Sequence, residues 1–260
     1  KWYRKAAPES PQHLRKLLAR NDIAVVIANR NYKKEGKGIP NVRPAYLDAE
    51  EFGKWMVQEK GVRNDNIIFL KDATAAQMES VFGNDRSHKG QLFNWVKSEI
   101  SNVYIYYVGH GAPAGNEGTA YLVPSDTNSA TVELTGYPLK TLYDNLNRLP
   151  AKSITVVLEA CFSGTSQGGN IMDRMSGIFV SPKLPTVPNK LTIISAGRPD
   201  QVASWEADGS RSLFTKYFLA GMKGKADKAP YGNEDKEVSY SELGRYLDAT
   251  LTYDARRHYG

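Results

Sequence analysis

Cysteine is almost absent from this chain. Cys161 stands alone, with four histidines, in 260 residues. One thiol excludes an intrachain disulfide and fits a reducing compartment, so a cytoplasmic location is expected. The histidines and the cysteine do not fall at the spacings that zinc ligands need. No apolar run approaches the ~20 residues of a membrane-spanning helix, and no signal-peptide pattern is present. The chain begins at Lys1 rather than Met, so a leader, an anchor or further domains are expected to lie outside it. Lys and Arg exceed Asp and Glu by 34 to 28, a net charge of +6. These cations are dispersed, without a long basic run or a nucleic-acid motif, which argues against nucleic acid and membrane as partners. Internal repeats are lacking too. What is present is core-forming material: 41% apolar residues and 10% aromatics, enough for a sizeable globular core.

Residues 1–22 are polar and basic, with Pro8 and Pro11, and read as an N-terminal extension. Residues 23–260 show no domain boundary. Ile23–Ala28 is apolar without alternation, as a strand buried on both faces should be. A Lys/Gly-rich loop follows, and then an amphipathic helix over 45–58 that Gly61 ends. Further strands are expected at 66–70, 103–108, 154–158 and 191–195. Helices are expected at 73–82, 89–100, 138–149, 212–222 and 241–253, with a last short strand opening at Val238. Residues 112–136 read as a long loop. Residues 164–190, rich in Gly, Ser and Pro, read as an exposed linker. The alternation predicts an α/β fold with a mostly parallel sheet and helices on both faces.

Two of these strands end in chemistry. Val103–Val108 runs into Gly109-His110-Gly111. Ile154–Leu158 runs into Glu159-Ala160-Cys161-Phe162-Ser163-Gly164. Open α/β sheets bind ligands outside the carboxyl ends of their strands. A free thiol has a pKa of about 8.5 and needs a base or a cation to become a good nucleophile. The glycines beside His110 allow a backbone N–H to approach a substrate carbonyl. A lone cysteine can also be a small buried hydrophobe, and a histidine between glycines can be a turn residue. Both at strand ends favour catalysis.

Together, and in this order, the two motifs resemble the caspase-like cysteine peptidases: caspases, metacaspases, paracaspases and their prokaryotic relatives. The resemblance spans roughly Ile23 to Tyr253. It implies a three-layer sandwich with Cys161 as nucleophile and His110 as base and then acid. It also implies an oxyanion hole formed by the N–H groups of Gly111 and Cys161. The family requires no third catalytic residue, and none is assigned. Protein or peptide substrates follow, while monomer and homodimer both remain open.

Glu159 lies two residues before Cys161 and so faces the same side of its strand. A buried carboxylate there needs a cation, and a structural ion pair would also serve. In the family this position lies in the pocket for the residue before the cut. Animal caspases carry Gln there and prefer Asp substrates. Metacaspases and paracaspases usually carry Asp and cut after Arg or Lys. Ser204-Trp205-Glu206, followed by Gly209-Ser210, resembles the caspase Ser-Trp-Arg segment, with Glu206 reversing the charge of the Arg that holds a substrate aspartate. Asp48 resembles an acidic pocket residue of metacaspases and paracaspases, although an acid in a first helical turn is common in any protein. The resemblance therefore implies cleavage after Arg, and Lys, with Trp205 as an apolar wall. Arg174, Lys183 and Lys190 become candidate self-cleavage sites between large and small subunits within 164–190, Arg174 first.

Metacaspases often need calcium. Here Glu117, Asp126 and Glu133 are scattered through 112–136, unlike a loop built for a hard cation, and no obligatory metal or other cofactor is expected. Gly164-Thr165-Ser166-Gln167-Gly168 matches a serine-nucleophile elbow, but the motif lacks the strand-to-helix turn that an elbow requires. A caspase-like scaffold without activity is a second alternative, though such relatives usually lack the Cys or the His present here. A legumain- or gingipain-like member of the same clan is a third, against which the Ser-Trp-Glu segment argues.

Overall fold

The computed structural model describes residues 17, 19–35, 38–162, 165–166, 169–170, 183–196 and 205–259. The strands in chain order are β1 (Ile23–Ala28), β2 (Ile67–Lys71), β3 (Asn102–Val108), β4 (Gly111–Ala114), β5 (Thr119–Leu122) and β6 (Tyr137–Pro138). They continue with β7 (Ser153–Glu159), β8 (Thr165–Ser166), β9 (Gly169–Asn170) and β10 (Leu191–Ser195). The helices are α1 (Tyr32–Glu35), α2 (Ala45–Trp55), α3 (Ala75–Phe82), α4 (Gln91–Trp95), α5 (Val132–Thr135), α6 (Leu139–Asn147), α7 (Leu213–Ala220) and α8 (Tyr240–Tyr259).

Five parallel strands form the central sheet in the order β10-β7-β3-β1-β2. The side-chain period of two divides each strand between two cores. Ala24, Val26 and Ala28 of β1, with Tyr106 and Val108 of β3, pack against Phe52 and Trp55 of α2, Phe214 and Phe218 of α7 and Leu243 of α8. Ile23, Val25 and Ile27, with Ile105 and Tyr107, pack on the other side against Met78 and Phe82 of α3, Leu92 of α4 and Leu142 and Leu146 of α6. This is the expected three-layer α/β sandwich. The apolar runs are continuous because both of their faces are covered.

Three expectations about local structure are corrected. The helix expected over 89–100 stops at Trp95, because Val96 is extended and Glu99 adopts φ 56°, a left-handed conformation no helix accommodates. The supposed loop at 112–136 contains the antiparallel hairpin β4–β5, which turns through Gly115 and Gly118, both at positive φ. No strand forms at Val238. Ser239 instead exchanges hydrogen bonds with Glu242 at the start of α8, in the manner of a capping box.

The chain passes from β1 outward to β2, then crosses to β3, β7 and β10 on the other side. The switch between β1 and β3 opens a crevice at the carboxyl ends of the central strands, where ligands of such sheets bind.

Candidate active site

His110 lies just beyond β3 and Cys161 just beyond β7. The register pairs Val108 with Glu159, so two further residues on each strand bring His110 level with Cys161. Gly109 N extends the ladder by donating to Glu159 O at 3.2 Å. The two turns touch. A Cβ placed on Gly111 would lie 2.8 Å from the Phe162 ring and 3.2 Å from the Cys161 carbonyl oxygen. Glycine is required there for close approach, not for an unusual φ.

The imidazole is buried at 3% exposure and held on several sides. Its Nε2 lies 2.7 Å from the Pro40 carbonyl oxygen. A carbonyl only accepts, so this contact assigns the proton to Nε2 and leaves the Nδ1 lone pair to accept another. Burial pushes the pKa down to about 4, against the Pro40 carbonyl, which favours the charged form. At neutral pH the ring is therefore uncharged and basic at Nδ1. Tyr32 packs its ring on the imidazole at 4.8 Å between centroids. The Tyr32 hydroxyl accepts from His110 N and donates to Val123 O, both at 3.0 Å. A Cβ on Gly109 would meet the Tyr32 and Tyr107 hydroxyls at 2.7 and 2.8 Å, so the Gly-His-Gly turn is fitted into this cage.

Val123 N donates to His110 O at 3.0 Å. Gly111 and Leu122 are consequently a non-hydrogen-bonded pair of the β4–β5 ladder, and the Gly111 N–H points away from β5. That donor is left for something else. Cys161 itself is buried at 8% exposure.

The same strand parity that carries His110 and Cys161 carries Glu159 to the α2–α7 side. Glu159 and Asp48 are both buried, at 5% and 1% exposure. They converge on the N-terminus of α7. Ser212 N donates to Asp48 Oδ2 at 3.1 Å. Thr215 Oγ1 donates to Glu159 Oε2 at 3.2 Å. Burial pushes Glu159 up to about 8, reinforced by the Asp48 charge, against hydrogen bonds from Ser212 and Thr215. Burial likewise pushes Asp48 up to about 7. Among the described residues no Lys or Arg forms an ion pair with either carboxyl.

Other expected site residues are placed less centrally. Trp205 is buried in the α2–α7 core and bridges to Ser212. Glu206 is half-buried and ion-paired with Lys216 at 2.7 Å, apart from the Asp48–Glu159 pair. Ser204 and Arg174 lie outside the described residues, as does most of the 164–190 linker. Lys183 is held by the β4–β5 hairpin: its N donates to Gly118 O at 2.7 Å and its Nζ pairs with Glu117 at 3.3 Å. The Lys190 ammonium is bound to Leu149 O. Sequence reasoning did not find Pro40, Tyr32, Tyr106, Ser212 or Thr215. A backbone carbonyl leaves no mark in sequence, and the others announce themselves only through contacts between residues far apart in the chain. Among the described residues no group of three or more His, Cys, Asp or Glu side chains is gathered as a metal site, and no helix is long and apolar enough to cross a membrane.

A thiol and a neutral imidazole delivered by adjacent parallel strands to one crevice is the arrangement that thiol-dependent peptidases use. The sequence model of the caspase domain, peptidase family C14, matches residues 21–243, and the chain belongs to that family of caspase-like peptidases. The chain is also similar to a protein from a Desulfuromonadales bacterium named "Probable protease", with 24% identity over 165 residues. That match takes in 61% of this chain and 20% of the bacterial protein, so the chain spans about a fifth of its relative's length.

Proposed function

We propose that this domain is a cysteine endopeptidase that cuts after Arg, and Lys, with Cys161 as nucleophile and His110 as general base and acid. His110 Nδ1 takes the thiol proton as Sγ attacks the scissile carbonyl carbon. The N–H groups of Gly111 and Cys161 receive the oxyanion, the first because its ladder does not use it. The imidazolium then gives its proton to the departing amine, leaving a thioester. Water, deprotonated by the same nitrogen, releases the acid and restores the thiol.

The observation that carries the specificity is the buried pair Asp48 and Glu159 on the face of the sheet shared with Cys161. Two buried carboxyls without a described cation form a site for one, and a guanidinium or ammonium supplies it. Glu206 contributes from the rim when it releases Lys216, and Trp205, with Ser204 before it in sequence, borders the neighbouring subsite. No calcium or other metal enters this chemistry.

Matched peptides that differ only in Arg, Lys, Asp or Leu before the cut test the reading, with and without calcium. Turnover of the Arg and Lys peptides alone, independent of calcium and absent in Cys161→Ala, is expected. Cleavage after Asp would refute the acidic pocket. No turnover of any peptide would leave an unprocessed zymogen or the inactive scaffold.

A basic-specific enzyme can also cut its own 164–190 linker. Lys183 and Lys190 have engaged ammonium groups, so Arg174 remains the first candidate. Intact mass of the purified wild type is expected to show two pieces, and that of Cys161→Ala one uncut chain. A single uncut chain in both proteins would remove the proposal.

A further inference from the structure

Tyr106 and Thr215 lie behind Glu159 and have no part in the chemistry above. Both are buried, at 0% and 1% exposure. Tyr106 comes from β3, Thr215 from the first turn of α7, and their hydroxyls are 2.6 Å apart. Either could donate in isolation. An ionised Glu159 can only accept, so in that state the single proton of the Thr215 hydroxyl goes to Glu159 Oε2 at 3.2 Å. The Tyr106 hydroxyl must then donate to Thr215, which fixes the direction of the chain: Tyr106 to Thr215 to Glu159. Thr215 is itself held, because its N donates to the Ser212 hydroxyl at 3.1 Å in the N-terminal cap of α7.

We propose, resting on the basic-pocket reading, that Tyr106 and Thr215 are positioning residues for substrate specificity: a one-way donor chain that aims Glu159 at the incoming cation and stabilises its carboxylate form. The chain supplies what the pocket otherwise lacks. Glu159 faces Asp48 from α2, a like charge, and beyond Asp48 stands the Glu51–Arg211 pair. Tyr106 faces both acids from the sheet. The Lys216 ammonium on α7 is taken by Glu206. In that company the Ser212 and Thr215 hydroxyls and the Thr215 N–H, all at the α7 N-terminus, are the groups that favour ionisation of Glu159, and burial opposes them. A donor chain ending on a carboxylate strengthens as the carboxylate ionises, so it assists when a guanidinium arrives.

The test uses Thr215→Val, which is nearly isosteric and lacks the hydroxyl, Thr215→Ser, which keeps it, and Tyr106→Phe. Thr215→Val should raise KM for the Arg peptide about tenfold at pH 7 with kcat within about twofold, as expected for losing one hydrogen bond to a charged group. The alkaline-going limb of kcat/KM should move to higher pH, because the lost bond favoured the charged acid. Thr215→Ser should restore both, and Tyr106→Phe should show a smaller change of the same sign. Carboxyl-13C NMR of Glu159 in the substrate-free protein should report the same upward displacement without any turnover. An unchanged KM, limb and Glu159 titration in Thr215→Val would overturn the proposal. So would a joint fall of kcat and rise of KM that Thr215→Ser does not repair, since that marks a packing role. If the wild type turns over no Arg or Lys peptide, the basic-pocket reading fails first, and the proposal falls with it for a distinguishable reason.

Discussion

Cys161→Ala is expected to lower kcat/KM by at least about 10^4-fold while leaving the protein folded. The sulfur is the only thiol in the chain, so no neighbouring cysteine can substitute for it. Its loss costs little packing, since alanine keeps the Cβ and the position is at the end of a strand that apolar clusters on both faces already secure. His110→Ala should cost nearly as much, and the double variant should be no worse than either single one, because nucleophile and base act as a unit. The pH profile adds an independent check. The ring accepts the thiol proton only while neutral, and burial holds its pKa at about 4. The histidine limb should therefore lie near 4, below the limb that the pocket carboxyls impose on kcat/KM for the Arg peptide, and it is read in the alkylation of Cys161, which does not use the pocket. A limb near the ordinary value of about 6.5 would mean that His110 is solvated in the working enzyme, and that the Pro40 and Tyr32 cage does not survive in solution. Iodoacetamide labelling of Cys161, followed across the same pH range in wild type and His110→Ala, separates loss of the nucleophile from loss of its base.

The sheet was legible because its strands are buried on both faces. An unbroken run such as Ile23–Ala28 has no other structure of comparable stability open to it, and its bounds were found to the residue. The two active strand ends were legible for a related reason: Gly109 and Gly111 interrupt an apolar run where no turn of regular structure needs them. The hairpin after His110 was not legible. Its strands are four residues each, and the first, Gly-Ala-Pro-Ala, has little β propensity, so its pairing is supplied by tertiary position. The helix at 89–100 failed for the opposite reason. Its apolar spacing is real, but the Ser101 hydroxyl accepts from Lys97 N at 3.0 Å and Glu99 N donates to Pro150 O at 2.8 Å, and these local bonds outcompete the helix. In the pocket, Glu159 could be read from its strand parity and Asp48 from family resemblance. Their meeting at the α7 N-terminus could not, because residues 48, 159 and 212 are joined only through the completed fold.

The double substitution Asp48→Asn with Glu159→Gln should move activity and stability in opposite directions. A guanidinium that enters the altered pocket is desolvated without a counter-charge, and losing one side of a buried charge pair costs about 3–5 kcal/mol. That corresponds to a fall in kcat/KM for the Arg peptide of about 10^2- to 10^4-fold, with the Leu peptide little affected. Stability responds through linkage. Asp48 and Glu159 have folded pKa values raised to about 7 and about 8, from 3.8 and 4.5. The folded state therefore holds protons that the unfolded state has released. The stability associated with this is fully present below about pH 4, declines as pH rises, and is gone above about pH 8. His110 acts in the other direction, but only between about pH 4 and 6.5, where the unfolded ring charges and the folded one does not. From pH 6.5 to 8 the carboxyls alone set the slope, up to about 1.4 kcal/mol per pH unit for each one still losing its proton. Urea unfolding across that interval should show the wild type weakening with pH and the double amide variant nearly flat, so that the variant is the more stable protein at pH 8. A saturating Arg-containing peptide aldehyde should close the gap at pH 8 and much less at pH 5, because the cation replaces the protons that the pocket has lost. If both proteins show the same slope, the two acids ionise normally and are not buried as a pair. If the slopes differ while Arg cleavage is untouched, the pair is structural and the basic specificity must come from Glu206. Only a pocket kept under electrostatic strain for the sake of a cation predicts both changes together, a less active enzyme on a more stable fold.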